Sequence, residues 1–97
     1  MAVLYIVENP EVTTEFYDKV RARLQDEEAP HGGIFHVAAK TEDGGLMVVE
    51  VWESEADRAQ WAQKLDKAIA ELGGPKRPQP KVYEVHKMRT AEAMTRT

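Results

Sequence analysis

The sequence predicts an α+β fold of element order β-α-β-β-α-β, and three observations carry that prediction. Short β-rich runs open and close the chain, over residues 2–7 and 81–88. Two amphipathic stretches with clear stops lie between them. At the centre, two apolar runs flank the acidic-glycine step Thr41-Glu42-Asp43-Gly44-Gly45, the chemistry of a turn joining antiparallel strands.

Residues 2–7 are β-branched and aromatic, too few for a helix, and closed by Asn9-Pro10, so they read as a buried, central strand. Beyond that punctuation Thr13 or Thr14 caps a helix in which Phe16, Val20 and Leu24 recur every fourth residue, with Tyr17 widening the stripe. Its end is expected near Glu28, because Pro30 and Gly32-Gly33 cannot continue it. After the hairpin, Ser54 reads as an N-cap with Glu55 and Asp57 in the first turn. Trp61, Leu65, Ile69 and Leu72 form the stripe of this second helix, which Gly73-Gly74-Pro75 stops. Residues 75–80 hold three prolines and form an extended connector. Residues 81–88 then alternate as a half-buried strand, and 89–97 lack any period and read as a flexible tail. A single domain over residues 1–88 follows. Its order is that of a ferredoxin-like split βαβ: a four-stranded antiparallel sheet with both helices on one face.

The hairpin sets a register. With Glu42 and Asp43 in a type I turn and Gly44 in the left-handed bulge position, Thr41 pairs with Gly45. Then Ala38 meets Val48, His36 meets Glu50 and Ile34 meets Trp52. Phe35, Val37, Ala39, Met47, Val49 and Val51 fall on the opposite face, an unbroken apolar set suited to packing under helices. The first set, with His36 and Glu50 among Ile34, Ala38, Leu46, Val48 and Trp52, is then expected on the uncovered face, too apolar for water. A homodimer stacked through this sheet face would bury it and enclose a cavity.

Composition narrows the function classes. Among 97 residues there are 13 basic and 17 acidic side chains, a net charge of −4, the wrong sign for binding nucleic acid through its phosphates. Hydrophobic residues at 42% and charged residues at 31% suit a folded soluble domain. Without cysteine there is no disulfide, thiol nucleophile or thiolate metal site. No apolar run approaches the roughly 20 residues of a membrane span, and residues 1–11 lack the basic n-region of a signal peptide. A cytoplasmic protein without membrane or nucleic-acid partners is the expectation.

The segment FHVAAKTEDGGLMVVEVWESEADRAQW, above all its turn and its Val51-Trp52-Glu53-Ser54 step into the second helix, resembles the dimeric α+β barrel superfamily, in particular its antibiotic-biosynthesis-monooxygenase-like small domains. That resemblance implies a dimer. It also implies one of several activities: cofactor-independent oxygenation of polycyclic aromatics, haem degradation or polyketide cyclisation. The haem-degrading pattern places an Asn at the end of the first strand, a Trp nine positions after the strand-end Trp, and an axial His ten further on. Asn9 and Trp61 match, but Glu71 stands at the ligand position, so that mode is not expected.

The remaining readings concern single side chains. His36 and Glu50 are the candidate catalytic dyad, the carboxylate orienting the imidazole so that it takes a proton from a phenol or an activated C–H. The alternative is a buried pair whose members only satisfy each other. Trp52 is either an aromatic cavity wall or a dimer anchor. Tyr5, Asn9, Val48 and Ile34 complete the candidate lining, Asn9 having a turn-capping alternative before Pro10. His31 is expected in solvent. His86 would be the third member of a set with His36 and Glu50 that nothing in the spacing brings together, so neither metal nor cofactor is expected. Two function classes stay open: a small oxygenase or cyclase acting on an aromatic or polyketide-like molecule, and a non-catalytic protein holding a hydrophobic ligand. A dimer with a filled interface is the third, purely structural possibility.

Overall fold

A computed structural model describes residues 1–24 and 30–89. Its elements are β1 (Val3–Asn9), α1 (Thr14–Leu24), β2 (Gly33–Lys40), β3 (Leu46–Trp52), α2 (Glu55–Glu71) and β4 (Lys81–Glu84). The sheet is antiparallel throughout, in the order β2-β3-β1-β4, with β1 and β3 central. The expected α+β ferredoxin-like order is therefore present. β1 runs two residues further than predicted and β4 stops at Glu84, although the Val85 N–H still donates to the Ala2 carbonyl at 3.0 Å. The predicted end of the first helix near Glu28 and the tail beyond Arg89 lie outside the described residues.

Local chemistry accounts for the boundaries. The Phe16 N–H donates to Thr13 Oγ1 at 3.1 Å, so Thr13 is the cap of α1. Ser54 Oγ likewise accepts the Asp57 N–H at 3.1 Å and starts α2. At the other end of α2, the Gly74 N–H reaches the Ile69 carbonyl at 2.9 Å and the Gly73 N–H reaches Ala70 at 3.1 Å, the paired bonds of a Schellman stop.

The hairpin has the predicted turn. The Thr41 N–H donates to the Gly45 carbonyl at 2.9 Å, the Gly44 N–H donates to Thr41 at 3.0 Å, and Gly44 has φ +88°. Gly45 is required for another reason: a Cβ there would come within 2.5 Å of Pro10 Cα. His36 pairs with Glu50 and Ala38 with Val48, as the turn dictates. The register departs only at the far end, where Gly33 rather than Ile34 pairs with Trp52 and Ile34 is the extra residue of a bulge.

The facing of the sheet corrects the expectation. Residues opposed across antiparallel strands share a face, so His36, Glu50, Tyr5 and Val82 form one row across all four strands. That row lies beneath the helices: Glu50 bonds to Arg58 of α2 and His36 to Tyr17 of α1. Phe35, Val37 and Tyr83 point the other way and are exposed, Tyr83 by 54%. Alternation with a period of two sorts strand residues into two sets, but it does not say on which set the crossover helices settle. The charges decide, because Glu50 is ionised and its only nearby guanidinium partner among the described contacts is on α2.

Candidate functional site

The centre of the covered face is a string of side chains from four elements. Tyr17 Oη on α1 lies 2.7 Å from His36 Nε2 on β2. His36 Nδ1 faces Glu50 Oε2 on β3 at 3.5 Å. Glu50 Oε1 accepts from Arg58 Nε on α2 at 2.8 Å and from Trp52 Nε1 at 3.2 Å. Arg21 Nη1 approaches the same His36 Nε2 at 3.4 Å, and its guanidinium lies 5.6 Å from the Tyr17 ring centre. The tautomer follows from these partners: an acceptor-only carboxylate at Nδ1 places the proton there, leaving the Nε2 lone pair for the Tyr17 hydroxyl.

Burial is graded along the string. The Glu50 and Arg58 side chains are 4% and 10% exposed, whereas that of His36 is 29% exposed. Burial pushes the Glu50 carboxyl up, but hydrogen bonds from His36, Arg58 and Trp52, with the Arg58 charge, overcome this and hold it at about 2 against an ordinary 4.5. Glu50 is thus a fixed negative charge. The Arg58 guanidinium also stacks 4.2 Å from the Tyr5 ring centre. Burial, together with the charges of Glu55 and Glu50, raises the Tyr5 hydroxyl against the opposing Arg58 charge.

Between the helices and the sheet runs a crevice of about 90 Å³. Val20, Leu46, Val48, Leu65 and Ile69 form its apolar walls, while Tyr17, His36 and Glu50 reach it from the string just described. The predicted site residues separate here. His36, Glu50, Val48 and Asn9 border the crevice. Asn9 also has its turn role, Oδ1 accepting the Glu11 N–H at 3.1 Å. Tyr5 and Trp52 are buried behind it, Trp52 packing on Trp61 with ring centres 5.5 Å apart. Ile34 does not reach it: bulged out of register, it is 40% exposed. Trp52 is thus packed beneath the helices, whereas Ile34 stays exposed at the bulge. The crevice bordered by His36 and Glu50 lies within one chain, because this polar set faces the helices rather than the uncovered side of the sheet.

Tyr17, Arg21 and Arg58 were not singled out for chemistry from the sequence. Arg58 had a signal, since it stands three residues before Trp61 on the apolar stripe of α2, where a charge has to find a partner inside. Tyr17 reads as an ordinary core aromatic until His36 is placed beneath it. His31 is in solvent, its side chain 88% exposed. His86 is exposed beyond β4, and among the described residues no three His, Cys, Asp or Glu side chains are grouped to hold a metal. No described helix is long and apolar enough to cross a membrane.

No family model matches the sequence, and no curated protein matches it. Among solved structures, a Deinococcus radiodurans protein provisionally named an antibiotic biosynthesis monooxygenase is similar, with a TM-score of 0.59 over 93% of this chain and 97% of that one. Sequence identity is 11%. A likeness at that identity carries architecture and leaves chemistry to the side chains. The chain has the ferredoxin-like α+β fold of that monooxygenase-named structure.

Proposed function

We propose that this chain is a small cytoplasmic homodimeric protein that takes an aromatic or polyketide-like molecule into the crevice and moves a proton on it through His36, as a cofactor-independent oxygenase or cyclase would. One observation carries the reading: the string Tyr17–His36–Glu50–Arg58 is anchored in the core at Glu50 and ends at a crevice wall at His36.

The chemistry follows from the anchoring. Glu50, held ionised by Arg58 and Trp52, accepts a hydrogen bond from the Nδ1–H and orients the imidazole, so Nε2 is the atom free to take a proton. A ligand hydroxyl or activated C–H placed at Nε2 in exchange for the Tyr17 hydroxyl gives up its proton there. Its electron pair stays on the ligand as a phenolate or carbanion, and the imidazolium formed is stabilised by Glu50. In a cyclase that carbanion attacks a carbonyl carbon of the same molecule, whose oxygen recovers the proton. In an oxygenase the carbanion passes an electron to dioxygen and the pair combines in a C–O bond, the peroxide oxygen takes the proton from the His36 imidazolium, and the hydroperoxide loses water to leave a carbonyl on the ligand. The homodimer would form through the exposed Phe35, Val37 and Tyr83 face, which leaves the crevice complete in each subunit.

A second reading has its own support. At about 90 Å³ the crevice is smaller than the roughly 300 Å³ usual for ligand pockets, which favours a protein that only holds the apolar part of a molecule. His36→Gln separates the two: a variant that folds and binds ligand but loses turnover supports catalysis, whereas unchanged turnover removes His36 from the mechanism. Light scattering at micromolar concentration tests the dimer independently, since a monomer would remove the sheet-face interface and leave the crevice standing.

A further inference from the structure

The connector over residues 75–80 runs beside α2 and is tied to it by Arg77, whose Nε donates to Asp66 Oδ1 at 2.6 Å. Beneath it lies a second hollow of about 520 Å³. Arg58, Ile69, Pro75 and Arg77 border both this hollow and the inner crevice. The two spaces therefore adjoin across these four side chains.

The two spaces differ in character. The inner one is walled mainly by apolar side chains, with Tyr17, His36 and Glu50 from the string and Arg21, Arg58 and Arg77 at its border. The outer one is bordered by Arg58, Lys76 and Arg77 against a single carboxylate, Asp66. Size makes the outer space necessary: the inner crevice, at about 90 Å³, is below the roughly 150 Å³ of an apolar cavity that accepts benzene. A ring entering the crevice has to project from it, and a part that projects past Ile69 and Pro75 meets the cations of the outer hollow.

Resting on the reading of the crevice as a ligand site, we infer that the outer hollow is the second half of that site and receives an anionic arm, a carboxylate or sulfonate, of a molecule whose apolar part sits against Val48 and Leu65. Arg77 is the selecting residue. Its side chain is 19% exposed while that of Asp66 is 58% exposed, so Asp66 returns to water at little cost when an oxyanion takes its place. The planar guanidinium suits an oxyanion with two parallel bonds. The Arg77–Asp66 pair holds the guanidinium at the border of both spaces.

Two fluorescent probes of similar ring size test this: anionic 8-anilinonaphthalene-1-sulfonate and uncharged N-phenyl-1-naphthylamine. The intact protein is expected to bind the anion more tightly by about tenfold, and Arg77→Gln to abolish that preference, read as the ratio of the two affinities within each variant. Asp66→Asn breaks the same tie but keeps the cation, so it should preserve or increase the preference. If Arg77→Gln and Asp66→Asn act alike, or if neither alters the preference, anion selection by Arg77 is overturned. Val48→Phe, which narrows only the inner crevice, separates this from the parent reading. Loss of neutral-probe binding there with no effect of Arg77→Gln sinks the outer half alone. Failure of both probes to bind the intact protein, or indifference of both to Val48→Phe, sinks the crevice as a ligand site as well.

Discussion

On the covered face of the sheet, His36, Glu50 and Tyr5 stand in one row and each has a partner from a helix or a neighbouring ring. On the open face Phe35, Val37 and Tyr83 lie 48%, 42% and 54% exposed. The face that carries the paired charges is thus the interior, while exposed apolar side chains stand on the other. For the buried charges, burial follows completeness of pairing: Glu50 has three donors waiting inside, and among the described residues no buried side-chain nitrogen or oxygen lacks a partner. The open face needs no polar partner, only another apolar surface, which is why the proposed dimer belongs there and the ligand on the other side.

The largest break in this contrast comes from Glu50→Ala. It leaves Arg58 buried without its carboxylate and should destabilise the fold by about 3–5 kcal/mol in denaturant titration. Replacing both partners, in Glu50→Leu with Arg58→Met, should recover most of that loss. If the double variant is as unstable as the single one, the charge pairing is not what orders the covered face.

Acid provides a milder version of the same break. Glu50 has a folded value of about 2 below its ordinary 4.5, so its contribution is fully present above about pH 4.5 and is lost as the pH falls toward about 2. At about 1.4 kcal/mol per unit, this comes to roughly 3 kcal/mol. Stability measured from pH 6 down to pH 2 should fall through that window, and a Glu50→Gln variant should show a shallower slope there. Equal slopes would assign the acid loss to other carboxylates, among them Asp43, whose bonds to Thr41 and the Gly45 N–H also lower it.

The smallest effect on the single chain is expected on the open face. Val37→Lys places a charge on exposed sheet, and the monomer's stability should change by less than about 0.5 kcal/mol. Self-association should be lost, as seen by light scattering across a dilution series. A large drop in the stability of the isolated chain would mean that the open face is packed within the chain after all.

Local chemistry was fully legible in several places. The Thr-Glu-Asp-Gly-Gly step specified turn, bulge and register, and with them the His36–Glu50 pair, because backbone sterics at Gly44 allow few alternatives. Ser54 and Gly73-Gly74 marked the ends of α2 because orphan N–H and C=O groups need those partners. Ile34 was misplaced because a bulge costs one residue of register without leaving a composition signal. Tyr17 was overlooked as chemistry because its role depends on a residue nineteen positions away.

The sequence by itself determined the element order, the hairpin register and the opposition of an imidazole to a carboxylate, since each depends on neighbours within a turn or a ladder. Only the tertiary structure decided which side of the sheet that pair faces. Strand alternation is symmetric between the two faces, and the symmetry is broken only when α1 and α2 bring Tyr17 and Arg58 down onto His36 and Glu50.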